Sequence, residues 1–179
     1  CIGRSPDFRF GGPGADDAGV ERAALRREGT DMPQAQAERN KETVRRMFDE
    51  VINLGKLDLI NELFASDFHT TTPEGRLDRD GFRDFVAGWR SGFSDLRCEV
   101  SDLVAEGDRV AWAVQATGVH TGQFSGIPPT GRSVDFASLN IATFRDGRAL
   151  EHKVIMDAMT MLIQLGVMPA PSVGSTGVS

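Results

Sequence analysis

The sequence predicts an α+β domain, running from about Ala37 to Met168, in which a curved antiparallel sheet with three N-terminal helices encloses an internal pocket. Three observations predict it. Apolar residues recur at helical spacing through the first part of the domain. After Ser94 the spacing changes to every second residue. The last strands carry apolar side chains on both faces, so both faces need a cover.

The helices come first. Val44, Met47, Phe48, Val51 and Ile52 form one apolar stripe, and Gly55 ends that helix as a left-handed cap would. A shorter helix, Lys56 to Phe64, turns Leu57, Ile60, Leu63 and Phe64 inward. A third starts at Asp78, an N-cap residue type, and buries Phe82, Phe85, Val86, Trp89 and Phe93 on one face.

The strands follow. Leu96, Cys98 and Val100 alternate with polar residues, and Glu106-Gly107-Asp108 is a turn. Val110, Trp112 and Val114 share the next strand face. A loop spans Gly118 to Gly131. Val134 to Phe144 is a long strand, Asp146-Gly147 is a hairpin signal, and Ala149 to Asp157 is the last strand. A terminal helix, Ala158 to Leu165, stops at Gly166, with Pro169 beyond.

Composition narrows the class. The chain has 179 residues, 40% of them hydrophobic, and a formal charge of -6. A chain of this length buries roughly two-thirds of its unfolded surface, enough for one core. The acidic balance argues against nucleic acid, which needs a clustered positive face, and against an anionic membrane surface. No apolar run approaches the ~20 residues of a membrane span. The expected setting is the cytoplasm.

Cys1 and Cys98 make neither a disulfide framework nor a zinc pattern, and Cys98 reads as a buried small hydrophobe. Residues 1 to 36 are glycine-rich and poor in apolar side chains, so they are expected to be disordered, as is the tail from Pro169 to Ser179. Met32 begins a stretch that looks like a translation start, a reading favoured over a lipid-bearing Cys1.

Four stretches carry a resemblance. They are Val44-Arg-Arg-Met-Phe through Asn53-Leu-Gly-Lys-Leu-Asp58; Phe68-His69; Gly126-Ile-Pro-Pro-Thr-Gly131 leading into Val134-Asp-Phe136; and Asp146-Gly147, Glu151-His152, Asp157 and Gln164-Leu165-Gly166. From Asn40 to Met168 the chain resembles the SnoaL-like polyketide cyclase (ester cyclase) family of the NTF2-like superfamily. The resemblance implies the NTF2-like cone and a cofactor-independent enzyme. In such an enzyme a late aspartate acts as acid/base in an intramolecular aldol closure. The matching position is Asp157. One departure is Lys153, where a tryptophan commonly follows the Glu-His pair.

Aldol closure needs a base for an acidic α-proton and an acid for the resulting alkoxide, and one carboxyl group raised by burial can serve as both. Asp157 ends the apolar run Val154-Ile-Met156, which suits that role. It also directly precedes a helix, which suits an N-cap, and a cap would lower its pKa instead. Asp157→Asn is expected to remove activity and keep the fold.

His69 is the second catalytic candidate, to orient a carbonyl, or else a structural histidine. His152 stands five positions before Asp157, so a regular strand puts the two on opposite faces. It is a substrate-binding candidate whose structural reading is favoured. Gln115 and Asn140 lie mid-strand and need partners if buried. Asn140 is the better carbonyl reader, because it shares a face with Phe136 and Ser138.

Trp89, Phe93, Trp112, Phe136 and Met156 are wall candidates, each with core packing as its plain reading. His120 is expected to be solvated, and Glu151, which shares strand parity with Lys153, to serve in a cross-strand or surface ion pair. The histidines have no ligand-pair spacing, so no metal is expected. The implied partners are a small hydrophobic molecule and a second copy of the chain. The alternatives are a non-catalytic ligand-binding or structural dimer, and a hydrolase or isomerase of the same fold.

Overall fold

The structure is a computed structural model and describes residues 34–72 and 75–171. Expectations for residues 1 to 33 and for the tail beyond 171 lie outside the described residues; residues 34–36 are already helical.

Helix α1 covers 34–46 and continues as a π-helical stretch, Met47–Asn53. Val44, Met47, Phe48 and Val51 are buried, while Ile52 is only half-buried. Gly55 turns the chain at φ +72°. Arg90 Nη1 donates to the carbonyls of Ile52 (2.9 Å) and Asn53 (2.7 Å), and so caps carbonyls that the helix end leaves without partners. Asn53 acts as a substitute peptide group. Its Nδ2 donates to Cys98 O (2.9 Å) and its Oδ1 accepts from Cys98 N (2.8 Å), which ties α1 to the sheet edge.

The expected second helix is shorter than its apolar spacing suggested. It is a 3-10 turn, Leu57–Leu59, leading into α2, Ile60–Leu63. Phe64 already opens strand β1, Phe64–Thr72. Strand β2, Gly75–Leu77, pairs with β1, and α3, Arg79–Gly92, follows from an Asp78 cap whose Oδ1 accepts Gly81 N–H at 2.9 Å. Phe93 is the first residue of β3, Phe93–Glu106, and not the last of the helix. It is buried either way, because both continuations turn it inward.

Strands β4 (Arg109–His120), β5 (Ser133–Arg145) and β6 (Arg148–Met156) complete an antiparallel meander, and α4, Ala158–Leu165, ends at Gly166. The sheet order is β2-β1-β6-β5-β4-β3. The meander is antiparallel as expected, but β1 joins β6 in parallel.

Period-two alternation divides the sheet. Val110, Trp112, Val114, Val134, Phe136, Asn140, Ala142 and His152 face the helices and are buried. Leu139, Ile141 and Ile155 face outward and are exposed, Ile155 at 76%. Leu139 sits beside Ile155 in register, and Ile141 beside Lys153. Among the described residues no helix is long and apolar enough to cross a membrane.

Candidate functional site

The helices and the inner sheet face line a partly open cavity of about 100 Å³. Its wall is mostly apolar. Met47, Phe48 and Ile52 come from the π-helical stretch, Phe82, Phe85 and Trp89 from α3, and Val114, Phe136, Val154 and Met156 from the sheet. Cys98 also lines it, with burial pushing its thiol up to about 11.

One connected polar group interrupts this wall. Thr70 Oγ1 lies 3.0 Å from His152 Nδ1, His152 Nε2 lies 3.1 Å from Asn140 Oδ1, and Asn140 Nδ2 donates to Ser138 Oγ at 3.1 Å. All four residues line the cavity. An amide oxygen only accepts, so His152 Nε2 carries the proton and Nδ1 accepts from the Thr70 hydroxyl.

The His152 ring is stacked on Trp112 (centroids 5.5 Å apart, 8° between planes) and meets the edge of Phe82. Burial pushes its pKa down to about 4, so the imidazole is neutral at neutral pH. With Nε2–H committed to Asn140, the amide is held in one orientation. Its Nδ2 has a second N–H beyond the bond to Ser138.

The structure brings Asn140, His152, Trp89, Phe136 and Met156 together on this wall. It does not bring the other candidates there. Trp112 packs behind His152, with its ring edge against Phe48. Phe93 is stacked on Trp89 and belongs to the core. Gln115 is on the outer face, hydrogen-bonded to Asp135.

His69 points away from the cavity, with Nε2 3.7 Å from Glu151 Oε1 on the neighbouring strand. Glu151 is held below the usual carboxylate range first by Lys153, whose Nζ lies 3.2 Å away. The placement therefore corrects the reading of His69 as a carbonyl-orienting group inside the pocket.

Asp157 is corrected in the same way. It is exposed, caps α4 by accepting Thr160 N–H at 3.0 Å, and is absent from the cavity wall. Those Thr160 hydrogen bonds, the backbone one first, hold the carboxyl below its ordinary value, whereas the burial argument required a raised one. His120 is another correction. Expected in solvent, it is fully buried. The chain after β4 folds back so that Thr130 N donates to its Nδ1 (3.3 Å), and its ring lies against Phe93.

Thr70 and Ser138 were missed as site residues. The signal was parity: Thr70 alternates with the buried Phe68, and Ser138 lies two residues from both Phe136 and Asn140. Among the described residues no group of three or more His, Cys, Asp or Glu side chains is placed to hold a metal ion.

A family model described as SnoaL-like polyketide cyclase matches residues 42–165. Among solved structures, IdmH of Streptomyces antibioticus, provisionally assigned as a polyketide cyclase, is 35% identical over 71% of this chain and 98% of its own, with a TM-score of 0.63. A provisionally assigned SnoaL-like polyketide cyclase of Jannaschia sp. CCS1 is 28% identical over 74% of this chain and 94% of its own, with a TM-score of 0.68. AclR of Streptomyces galilaeus, provisionally assigned as a hydroxylase, is 29% identical over 77% and 87%, with a TM-score of 0.67. Among curated proteins no match was found.

Proposed function

The chain belongs to the SnoaL-like polyketide cyclase family, and from that premise we propose that its inner cavity binds a small hydrophobic carbonyl compound and promotes ring closure on it. The observation that carries this reading is the Thr70–His152–Asn140–Ser138 chain set in a mostly apolar wall. Buried polar groups of this kind fix the orientation of a ligand.

The chemistry differs from the aspartate scheme. The remaining Asn140 N–H donates to a carbonyl oxygen and continues to do so as that oxygen gains charge in the enolate or alkoxide. Such a donor is worth more in a dry cavity than in water. His152 is a positioning residue here, because both ring nitrogens are engaged. No carboxylate lines the cavity among the described residues. The substrates that fit are therefore those already enolised in solution, such as 1,3-dicarbonyl chains, whose enol O–H proton passes to the new alkoxide as the ring closes.

A second reading has its own support. A wall without a carboxylate, and an imidazole with no free nitrogen, also suit a site that binds without reacting. One experiment separates the two. An aryl 1,3-diketone with a pendant aldehyde is incubated with the protein, and cyclised product is followed by chromatography and mass spectrometry. The cyclase reading expects product formation above buffer that falls at least about ten-fold in Asn140→Leu. Binding without product formation would support the second reading and sink the first.

The outer sheet face supports a homodimer. Leu139, Ile141 and Ile155 form an exposed apolar patch with Ala111 and Ala113 beside them in register. Contiguous apolar surface of this sort marks an interaction site. A second copy fits it, since a two-fold interface is self-complementary. The double variant Leu139→Lys with Ile155→Lys should sediment as a monomer where the wild type sediments as a dimer; a wild-type monomer would end the proposal.

A further inference from the structure

A second, wider space lies next to the inner cavity. It is an open cleft of about 310 Å³ between α3 and the loop after β4, lined by Leu77, Gly81, Gly88, Gln123, Phe124 and Ser125. Thr72 and Phe85 line both spaces. Phe85 is half-buried, its ring stacked on Phe82 and edge-on to Trp89. It stands as the partition between them.

The glycines around this cleft differ. At Gly92 an added Cβ would come within 2.9 Å of Phe124 Cβ, and at Gly122 within 2.1 Å of Ser91 O. Close packing explains both. The loop is fastened there, since Gly92 O accepts the N–H groups of Thr121 (3.0 Å) and Gly122 (2.9 Å). Gly88 has no such reason. Nothing lies within 4 Å of a Cβ built on it, and its φ is not in the left-handed region. It sits in the middle of α3, where glycine is among the poorest helix formers. Its one visible consequence is an open cleft wall.

We infer that the outer cleft is a second subsite of the same ligand site. It takes the polar chain of an elongated substrate whose apolar carbonyl end occupies the inner cavity, with Phe85 dividing the two and Gly88 keeping the outer one open. The substrate class is then an amphiphile with an apolar aryl ketone at one end and a hydroxylated or carbonyl-bearing chain at the other. Thr72, Gln123 and Ser125 supply the polar side chains of the outer part. The inference rests on the reading of the inner cavity as a ligand site.

The test compares two probes, acetophenone and acetophenone bearing a para-linked hydroxyalkyl chain. Binding is read by intrinsic tryptophan fluorescence, since Trp89 lines the inner cavity and Trp112 is stacked on His152. The quantity of interest is the ratio of the two affinities in each protein. The wild type should favour the long probe by about ten-fold, and Gly88→Leu should bring that ratio to about one. Leucine is the better helix former, so the thermal midpoint of the variant should not fall. Gly88→Met, with a more flexible side chain, repeats the test should the first variant misfold. An unchanged ratio in a folded variant overturns the inference. So does a wild-type ratio of one with acetophenone bound, which leaves the inner site standing. Failure of both probes to bind the wild type overturns the inner-cavity reading and this inference with it.

Discussion

His152 and Asp157 stand five residues apart on one stretch of chain, and they occupy opposite environments. His152 is buried in β6, with both ring nitrogens bonded and its pKa pushed down to about 4. Asp157, just past the strand, is exposed and holds the first turn of α4, its carboxyl lowered by the Thr160 hydrogen bonds. Strand parity accounts for the difference. An odd separation puts the two side chains on opposite faces, and no register shift falls between Glu151 and Met156 to correct it. A group that ends an apolar strand is not thereby desolvated. The helix that follows can claim it.

The largest expected effect comes from breaking the buried half. His152→Ala opens a cavity and leaves the Thr70 hydroxyl and the Asn140 carbonyl oxygen unpaired. It should cost about 3 kcal/mol of unfolding free energy by urea titration. A loss under about 1 kcal/mol would mean that the network holds little together.

Nearly as large is a dependence on pH. His152 titrates at its ordinary 6.5 when unfolded and at about 4 when folded. Between those values the unfolded chain binds the extra proton. Stability is therefore full above 6.5 and falls as the pH drops toward 4, by up to roughly 3 kcal/mol. Chemical denaturation across that window checks it, and the part of the dependence above about pH 5, where lowered carboxyl groups such as Glu151 contribute little, should disappear in His152→Ala. A curve that is flat from pH 6.5 to 4 in the wild type would contradict the burial of the imidazole.

The exposed half should respond least. Asp157→Ala removes a cap and should lower the thermal midpoint by a few degrees, while Asp157→Asn, which caps as well, should leave it nearly unchanged. Neither should reduce product formation much. A large loss of activity in Asp157→Asn with a normal midpoint would restore the aspartate to the chemistry.

The comparison also shows what was legible beforehand. The alternation of Val110, Trp112 and Val114, and of Phe136, Ser138 and Asn140, placed one sheet face inward. That parity led to Asn140. It was sufficient for Thr70 too, but a threonine beside Phe68 gives no apolar signal of its own. Phe93 opens β3 and does not close the expected helix, a difference that burial does not reveal because helix and strand continuations both bury it. Gln115, next to the inward Val114, was already on the outer face by parity, whereas Trp112 shows the limit of a strand pattern. It places a residue on a face, but which inward residues touch the cavity depends on how α1 and α3 lie over the sheet. His120 depended on a loop folding back through Thr130, a long-range fact that local spacing does not contain. His69 has the exposed face of β1 beside Glu151, and only the parallel pairing of β1 with β6 reveals that neighbour.

Of the two groups, the fold buries the His152 imidazole at the site and leaves the Asp157 carboxyl in solvent. The most direct test is one NMR titration of both groups, following the imidazole and carboxyl signals in the same sample, with His152→Ala and Asp157→Asn for assignment. His152 should titrate near 4, and Asp157 below its ordinary 3.8. Asp157 titrating at about 6 or above, the range of a desolvated catalytic carboxyl group, with His152 at its ordinary 6.5, would contradict it.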